Sequence, residues 1–246
     1  MSRYERLDKL AEELKSMRPL NPAELKQLRD EFIIEHTHDS TAIEGNTLTL
    51  RETAMILQEG ITIAEKPLRE HLEAIGYRDA FEYVVELAGT NASLSEAIIK
   101  GVHALVLMND RENRGIYRRV PVVISGALHT PPQPYLVPEQ IEQLIDDYAE
   151  MKSSRHIIEA VAEFHLRFEG IHPFIDGNGR TGRLLLNLEL IKAGLLPINI
   201  KFADRRKYYD SFDAYFGEEH SPNTLIDLIE QYEIAELEKR LKVLNG

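Results

Sequence analysis

Residues 172 to 183 read His172-Pro173-Phe174-Ile175-Asp176-Gly177-Asn178-Gly179-Arg180-Thr181-Gly182-Arg183, and an apolar run, Leu184-Leu185-Leu186-Asn187-Leu188, follows at once. No other stretch constrains the chain so tightly, because it dictates a glycine-rich turn that opens directly into an apolar helix. Such a junction suits an anion. The first helical turn leaves its N–H groups unpaired, and consecutive amides with glycine freedom form a concave nest. Gly177 and Gly179 permit positive φ and let a ligand approach the backbone. Arg180 and Arg183, three apart, lie near one helix face and add bidentate phosphate donors. Taken singly, a Gly-Asn-Gly turn is usually only a turn, and an Asp before a helix only a cap. Together, a His, an Asp and two Arg around one nest are costly unless a ligand satisfies them.

A nucleotidyl transfer needs a base for the incoming hydroxyl, charge neutralisation at the phosphates, and alignment. His172 has the ordinary range of a neutral-pH proton acceptor. Asp176 is a hard oxygen ligand suited to Mg²⁺ bridging phosphates. The Gly177-Asn178-Gly179 nest would cradle the phosphate at which charge develops. Phe174 is expected to face the core, and His165, on a helix, to be a packed residue.

The segment His172 to Arg183 is similar to the signature of the Fic family, His-x-Phe-x-Asp/Glu-Gly-Asn-Gly-Arg-x-x-Arg, at every defining position, and the resemblance extends over roughly residues 30 to 230. It implies an all-α Fic/Fido helical fold with a β-hairpin flap over the active site. Family members mostly transfer AMP from ATP to a hydroxyl of a target protein. By their chemistry Arg180 and Arg183 would hold the outer phosphates; the resemblance implies His172 as base, Asp176 on the metal, Asn178 near the α-phosphate and Arg183 on the γ-phosphate.

A second motif precedes the first. Ser40-Thr41-Ala42-Ile43-Glu44-Gly45 ends a segment of helical spacing that begins near Leu28. Gly45 suits a helix stop, and the four-residue spacing stacks Ser40 and Glu44 on one face. By itself this is an ordinary helix end. Beside the first motif it resembles the inhibitory helix of Fic proteins, which implies that Glu44 pairs with Arg183 and blocks the γ-phosphate. The expected activity is thus an adenylyltransferase held off by its own helix. Removal of AMP from modified proteins at the same site, and a nucleotide-sensing interaction module, stand as alternatives.

Between Arg111 and Pro138, the run Val120-Pro121-Val122-Val123-Ile124 and a turn at Ser125-Gly126 read as a hairpin with an edge strand at Pro121. The family resemblance makes it a flap on which target proteins dock, with Ile124, Ser125, Gly126 and Ala127 near the nucleotide. Tyr208 and Tyr209 are carried over as the aromatic lining of the adenine pocket, where stacking on a base is physically reasonable.

The chain of 246 residues, 43% hydrophobic, is enough for one domain with a helical extension. The expected divisions are residues 1–93 with the inhibitory helix, 94–230 as the catalytic domain and 231–246 as a C-terminal helix, Asn91-Ala92-Ser93 marking the first boundary. Helices are expected at Tyr4–Ser16, Pro22–Ile43, Thr49–Glu59, Pro67–Ala88, Leu94–Met108, Pro138–Ser153, Ile157–Phe168, Gly179–Ala193, Arg206–Phe216 and Asn223–Leu241. A net charge of −12 argues against general nucleic-acid binding. The absence of cysteine fits a reducing compartment, and the lack of an apolar leader or spanning stretch points to the cytoplasm without a membrane anchor. Modification of the chain by itself is expected, and a homodimer is left open.

Overall fold

Helical periodicity and a series of caps divide the chain, in a computed structural model that describes residues 3–245, into ten α-helices. They are α1 (Glu5–Ser16), α2 (Pro22–Ile43), α3 (Leu50–Ala54), α4 (Leu68–Ala88), α5 (Glu96–Val106), α6 (Val137–Ser154), α7 (Ile157–Ile171), α8 (Asn178–Lys192), α9 (Arg205–Phe216) and α10 (Asn223–Asn245). Met1 and Ser2 of the expected first segment and Gly246 of the last lie outside the described residues.

The helix starts follow from local chemistry. Asn21 accepts from the amides of Ala23 and Glu24, Glu24 reaches back to the amide of Asn21, and Pro22 occupies the first turn of α2. Thr49 and Glu52 make the same reciprocal box on α3. Each cap is worth ~1 kcal/mol. Pro67, expected inside the first turn of α4, stands one residue outside it as the cap. The single helix expected at Thr49–Glu59 is α3 followed by a π-helical turn, Met55–Glu59, that ends on left-handed Gly60.

Helix α8 is buried on nearly every side: Leu184, Leu185, Leu186, Leu188 and Leu190 are all inaccessible. A helix apolar all round belongs at the centre of a fold. It packs against α7, α4 and α5, and the end of α2 lies across it. Burying each such leucine contributes ~1.5–3 kcal/mol. The helices before residue 94 therefore share one core with those after it.

Helix α7 runs three residues beyond the expected Phe168. Gly170 does not break it, because the ring of Phe216 packs where a Cβ would stand. The extension matters, since α7 delivers His172 as its C-terminal cap.

The hairpin does not form. No strand is present among the described residues, and 116–133 is an irregular loop. The expected turn is there: Ala127 N–H donates to Ile124 C=O at 3.2 Å, with Gly126 at φ 80°, as the third position of such a turn requires. What is missing is the ladder. Pro121, Pro131 and Pro132 lack donors, and the two legs are joined by a side chain instead. Arg118 donates to Val120 C=O at 3.3 Å and to Pro132 C=O at 2.5 Å.

Candidate active site

The turn between α7 and α8 is built from strained and clamped backbone. His172 caps α7 in the left-handed region (φ 50°, ψ 61°). A non-glycine residue there costs ~1–3 kcal/mol, and surrounding contacts must hold it. The Asn178 amide bridges the turn, accepting from Phe174 N–H at 2.8 Å and donating to Phe174 C=O at 2.9 Å. Its side chain is thus spent on the loop. Phe174 is buried, as its position suggests, and stacks on His103 with centroids 3.6 Å apart.

Gly177 takes φ 77° as the N-cap of α8. Gly179 is ordinary helix, so its glycine serves close approach rather than positive φ: a Cβ there would collide with Glu44 Oε1. The Asp176 carboxylate accepts from Gly177 N–H at 2.6 Å and from Arg180 Nη2 at 3.1 Å, and its side chain is 58% exposed. Arg180 is buried with Nε and Nη1 unpartnered.

Arg183 is held from every side. It donates Nε to Ser40 Oγ at 2.8 Å, Nη2 to Ser40 C=O at 2.8 Å and to Glu44 Oε1 at 2.9 Å, and Nη1 to the Tyr208 hydroxyl at 3.3 Å. Tyr208 is buried and also bonded to His165 at 2.7 Å. Tyr209 keeps 44% of its surface, and its hydroxyl donates to Ile43 C=O at 3.1 Å, at the last residue of α2. Of the two tyrosines, only Tyr209 presents an accessible ring face.

These elements enclose a cavity of about 370 Å³ lined by Glu44, the loop from Ile124 to His129, Glu169, His172, Gly179, Tyr208, Tyr209, Phe212 and Asp213. Its size and mixed lining suit a small-molecule ligand. Burial first, then the Arg118 charge, pushes His172 down to about 4, so its imidazole is neutral at pH 7 and free to take a proton; the Glu169 backbone carbonyl opposes this shift.

Residues 93–190 match the sequence profile of the Fic/DOC family. A protein adenylyltransferase Fic from Culex quinquefasciatus is 36% identical over 213 residues, covering 85% of this chain and 42% of its own length. A solved fragment of Fic-1 from C. elegans is 30% identical, with a TM-score of 0.83 over 96% of this chain and 70% of that one. The chain belongs to the Fic/DOC family. A Fic domain containing signaling protein from Bacteroides thetaiotaomicron superposes with a TM-score of 0.88 over 98% of both chains at 28% identity. The chain spans 42% of the Culex relative, less than half of it.

Within this Fic chain, three site residues escape motif reading. His103 donates Nε2–H to Asp176 C=O at 3.0 Å and accepts Gly115 N–H on Nδ1 at 2.9 Å. Burial depresses it to about 4, which keeps the neutral tautomer those two bonds need. His129 stacks on Phe216 at 3.8 Å on the cavity wall. Arg118 is the third. Besides the two legs of the loop, its guanidinium holds His172 C=O at 2.8 Å and Ile171 C=O at 3.4 Å. One side chain therefore ties the flap-like loop to the strained residue. A lone Arg in a basic run carries no sequence signal for that.

Arg118→Ala is expected to lower stability by ~1–3 kcal/mol, because it strands the buried Ile171 carbonyl and the part-buried carbonyls of His172 and Pro132. It should also speed protease cleavage within 116–133. Urea unfolding and timed proteolysis check both, and an unchanged cleavage rate would show that the loop is held by something else.

Proposed function

We propose that this chain transfers AMP from ATP to a hydroxyl side chain of another protein, and that Glu44 restrains the reaction. The observation that carries this reading is the common cavity of a neutral His172, the amide-rich start of α8 and the guanidinium-bearing side chain of Arg183 just beneath it. The adenylyltransferase name of relatives at about 35% identity supports it.

The steps follow from the residues. The target hydroxyl attacks the α-phosphorus while His172 takes its proton. The new O–P bond forms as the bond to the β-phosphate oxygen breaks, and pyrophosphate leaves. The unpaired amides at the start of α8 stabilise the charge that builds on the α-phosphate oxygens. Arg183 would hold the γ-phosphate once Glu44 releases it. Tyr209 would stack on the adenine.

Asp176 is the residue that would hold Mg²⁺. Its carboxyl is largely exposed. That exposure suits an ion that keeps water and phosphate oxygens in its shell. When bound, Mg²⁺ would neutralise phosphate charge.

Target proteins would dock on the loop 116–133. Val123 is 89% and Leu128 63% exposed there, and the lack of a ladder leaves backbone groups free to pair with an extended segment. The chain itself is a second target.

The test is incubation with ATP labelled at the α- or γ-phosphate, with the chain alone and with a cell extract. Protein should gain label from the α-position only, and EDTA should stop it. Label from the γ-position would mean phosphate transfer. Release of AMP from a modified protein in the same assay reads the reverse role.

A further inference from the structure

The cavity has a second carboxyl group. Glu169 lies one turn before His172 on α7 and lines the cavity with Glu44, His172 and Gly179. It is only 8% exposed, and its Oε1 is buried without a hydrogen-bond partner. It fits because Gly182 has no side chain: a Cβ there would collide with Glu169 Oε1 and crowd His165. Gly179 makes the same allowance for Glu44 one turn earlier on α8. Two carboxyls thus reach successive turns at the start of one helix, and Arg183 follows directly after Gly182.

The other buried carboxyls behave differently. Glu189 and Glu233 each leave one oxygen unpartnered as well, but the other oxygen is used: Glu189 accepts from the Tyr148 hydroxyl at 2.9 Å and from Lys152 at 3.0 Å, and Glu233 accepts from Leu196 N–H at 2.8 Å, both away from the cavity. Those are structural acceptors. Glu169 faces no such donor across the cavity. The charged and titratable groups around it and on the cavity wall are Glu44 at the end of α2, His129 from the loop, His165 and His172 from α7, Arg183 from α8, and Tyr208, Tyr209 and Asp213 from α9. Arg183 is already engaged by Glu44 and Ser40. Burial, and then the Glu44 charge, raise the Glu169 carboxyl to about 8, against the pull of Arg183. It carries its proton at neutral pH, and a protonated carboxyl is a donor.

We propose that Glu169 contacts the triphosphate of bound ATP as a hydrogen-bond donor, so that at alkaline pH the nucleotide and one proton bind together. The proposal rests on the ATP reading above and adds a role that neither motif assigns. An ionised Glu169 would repel the phosphates. A protonated one supplies them with a donor. The phosphates bring negative charge where Glu44 withdraws its own, so the proton stays on. By linkage, a group whose proton is held more tightly in the complex favours binding at low pH. That advantage is lost as pH rises through the free-state value.

The experiment uses calorimetric ATP binding with Mg²⁺ to the Glu44→Gly chain, at pH 7.5 to 9.5, above the last ionisation of the triphosphate. Without the Glu44 charge the free carboxyl titrates below about 8, so the weakening begins near neutrality. Kd should rise by up to ~10-fold per pH unit over that window. Adding Glu169→Gln, which keeps an N–H donor and the shape, should flatten the profile and bind more tightly than its parent at pH 9. Glu169→Ala loses the donor and the ionisation together, so its profile should be equally flat but weaker than that of Glu169→Gln at every pH. Identical pH profiles with Glu and Gln at 169 overturn the proposal. Should the Gln variant fold poorly, proton uptake by the Glu169 parent, read from the dependence of binding heat on buffer ionisation, decides instead. Close to one proton per ATP at pH 8.5 supports the proposal, and none overturns it. Absence of ATP binding at every pH would overturn the nucleotide reading and this one with it, whereas binding without proton coupling overturns this one alone.

Discussion

His172→Ala is expected to lower AMP transfer by ~10²–10⁴-fold, the usual contribution of a positioned base. ATP affinity should stay near that of the parent, because the ring lines the cavity but carries no charge for the phosphates at pH 7. The loss corresponds to ~3–5 kcal/mol of transition-state stabilisation, and it should appear in kcat rather than KM. The pH dependence sharpens this. His172 is depressed to about 4 by burial, with Arg118 as the largest adverse charge. The base form therefore persists well below neutrality, and kcat/KM should fall only as pH drops toward that value. An acid limb near the ordinary histidine range would mean that the imidazole is less buried in solution. Near-parental transfer by His172→Ala in the Glu44→Gly background would assign the base elsewhere. Rates of labelled AMP incorporation at fixed ATP and Mg²⁺ are the readout.

Glu44→Gly is expected to raise AMP incorporation by at least ~10-fold, equivalent to ~1.4 kcal/mol. The Arg183–Glu44 pair spans 2.9 Å with Arg183 almost wholly buried and the Glu44 side chain 35% exposed. A fully buried pair broken without replacement costs ~3–5 kcal/mol, and solvent at Glu44 reduces that. What remains is still enough to hold back a γ-phosphate that must take the same guanidinium. Ser40→Ala removes the acceptor of Arg183 Nε and should activate in the same sense, by less, since Ser40 C=O and Glu44 still hold Nη2. Arg183→Ala should not activate, because the anchor goes with the lock. The double variant Glu44→Gly/Arg183→Ala should stay slow, a non-additive result expected of contacting groups. Equal rates for the parent and Glu44→Gly would reduce Glu44 to a helix-end residue.

The distance between these two partners along the chain explains what could be read in advance. Asn21 and Pro22 announce α2, Thr49 and Glu52 announce α3, and Gly45 and Gly177 stand where the backbone turns left-handed. Each such signal lies within a few residues of what it specifies, so a string of letters contains it whole. The dodecapeptide is of the same kind. Its Asn178 closes its own loop through Phe174, four positions away, and its leucines need only helical spacing to demand burial. The pairing of Glu44 with Arg183 was legible only through family likeness, because the two are 139 residues apart.

The loop 116–133 went the other way. Its β-branched run and Ser-Gly turn read as a hairpin, and the turn does form. The strands do not, because Pro121, Pro131 and Pro132 lack donors and Arg118 takes the Val120 and Pro132 carbonyls and anchors them to Ile171 and His172, 53 and 54 residues on. His103 reaches Asp176 across 73 residues, and Glu169 finds its place only where Gly182 lacks a Cβ. The sequence by itself determined where helices begin, where the backbone must bend, and which short segment gathers a base, a carboxylate and two guanidiniums. Only the tertiary structure decided which buried groups meet, since a side chain's partner is chosen by the packing of whole helices, and that choice depends on every layer of the core at once.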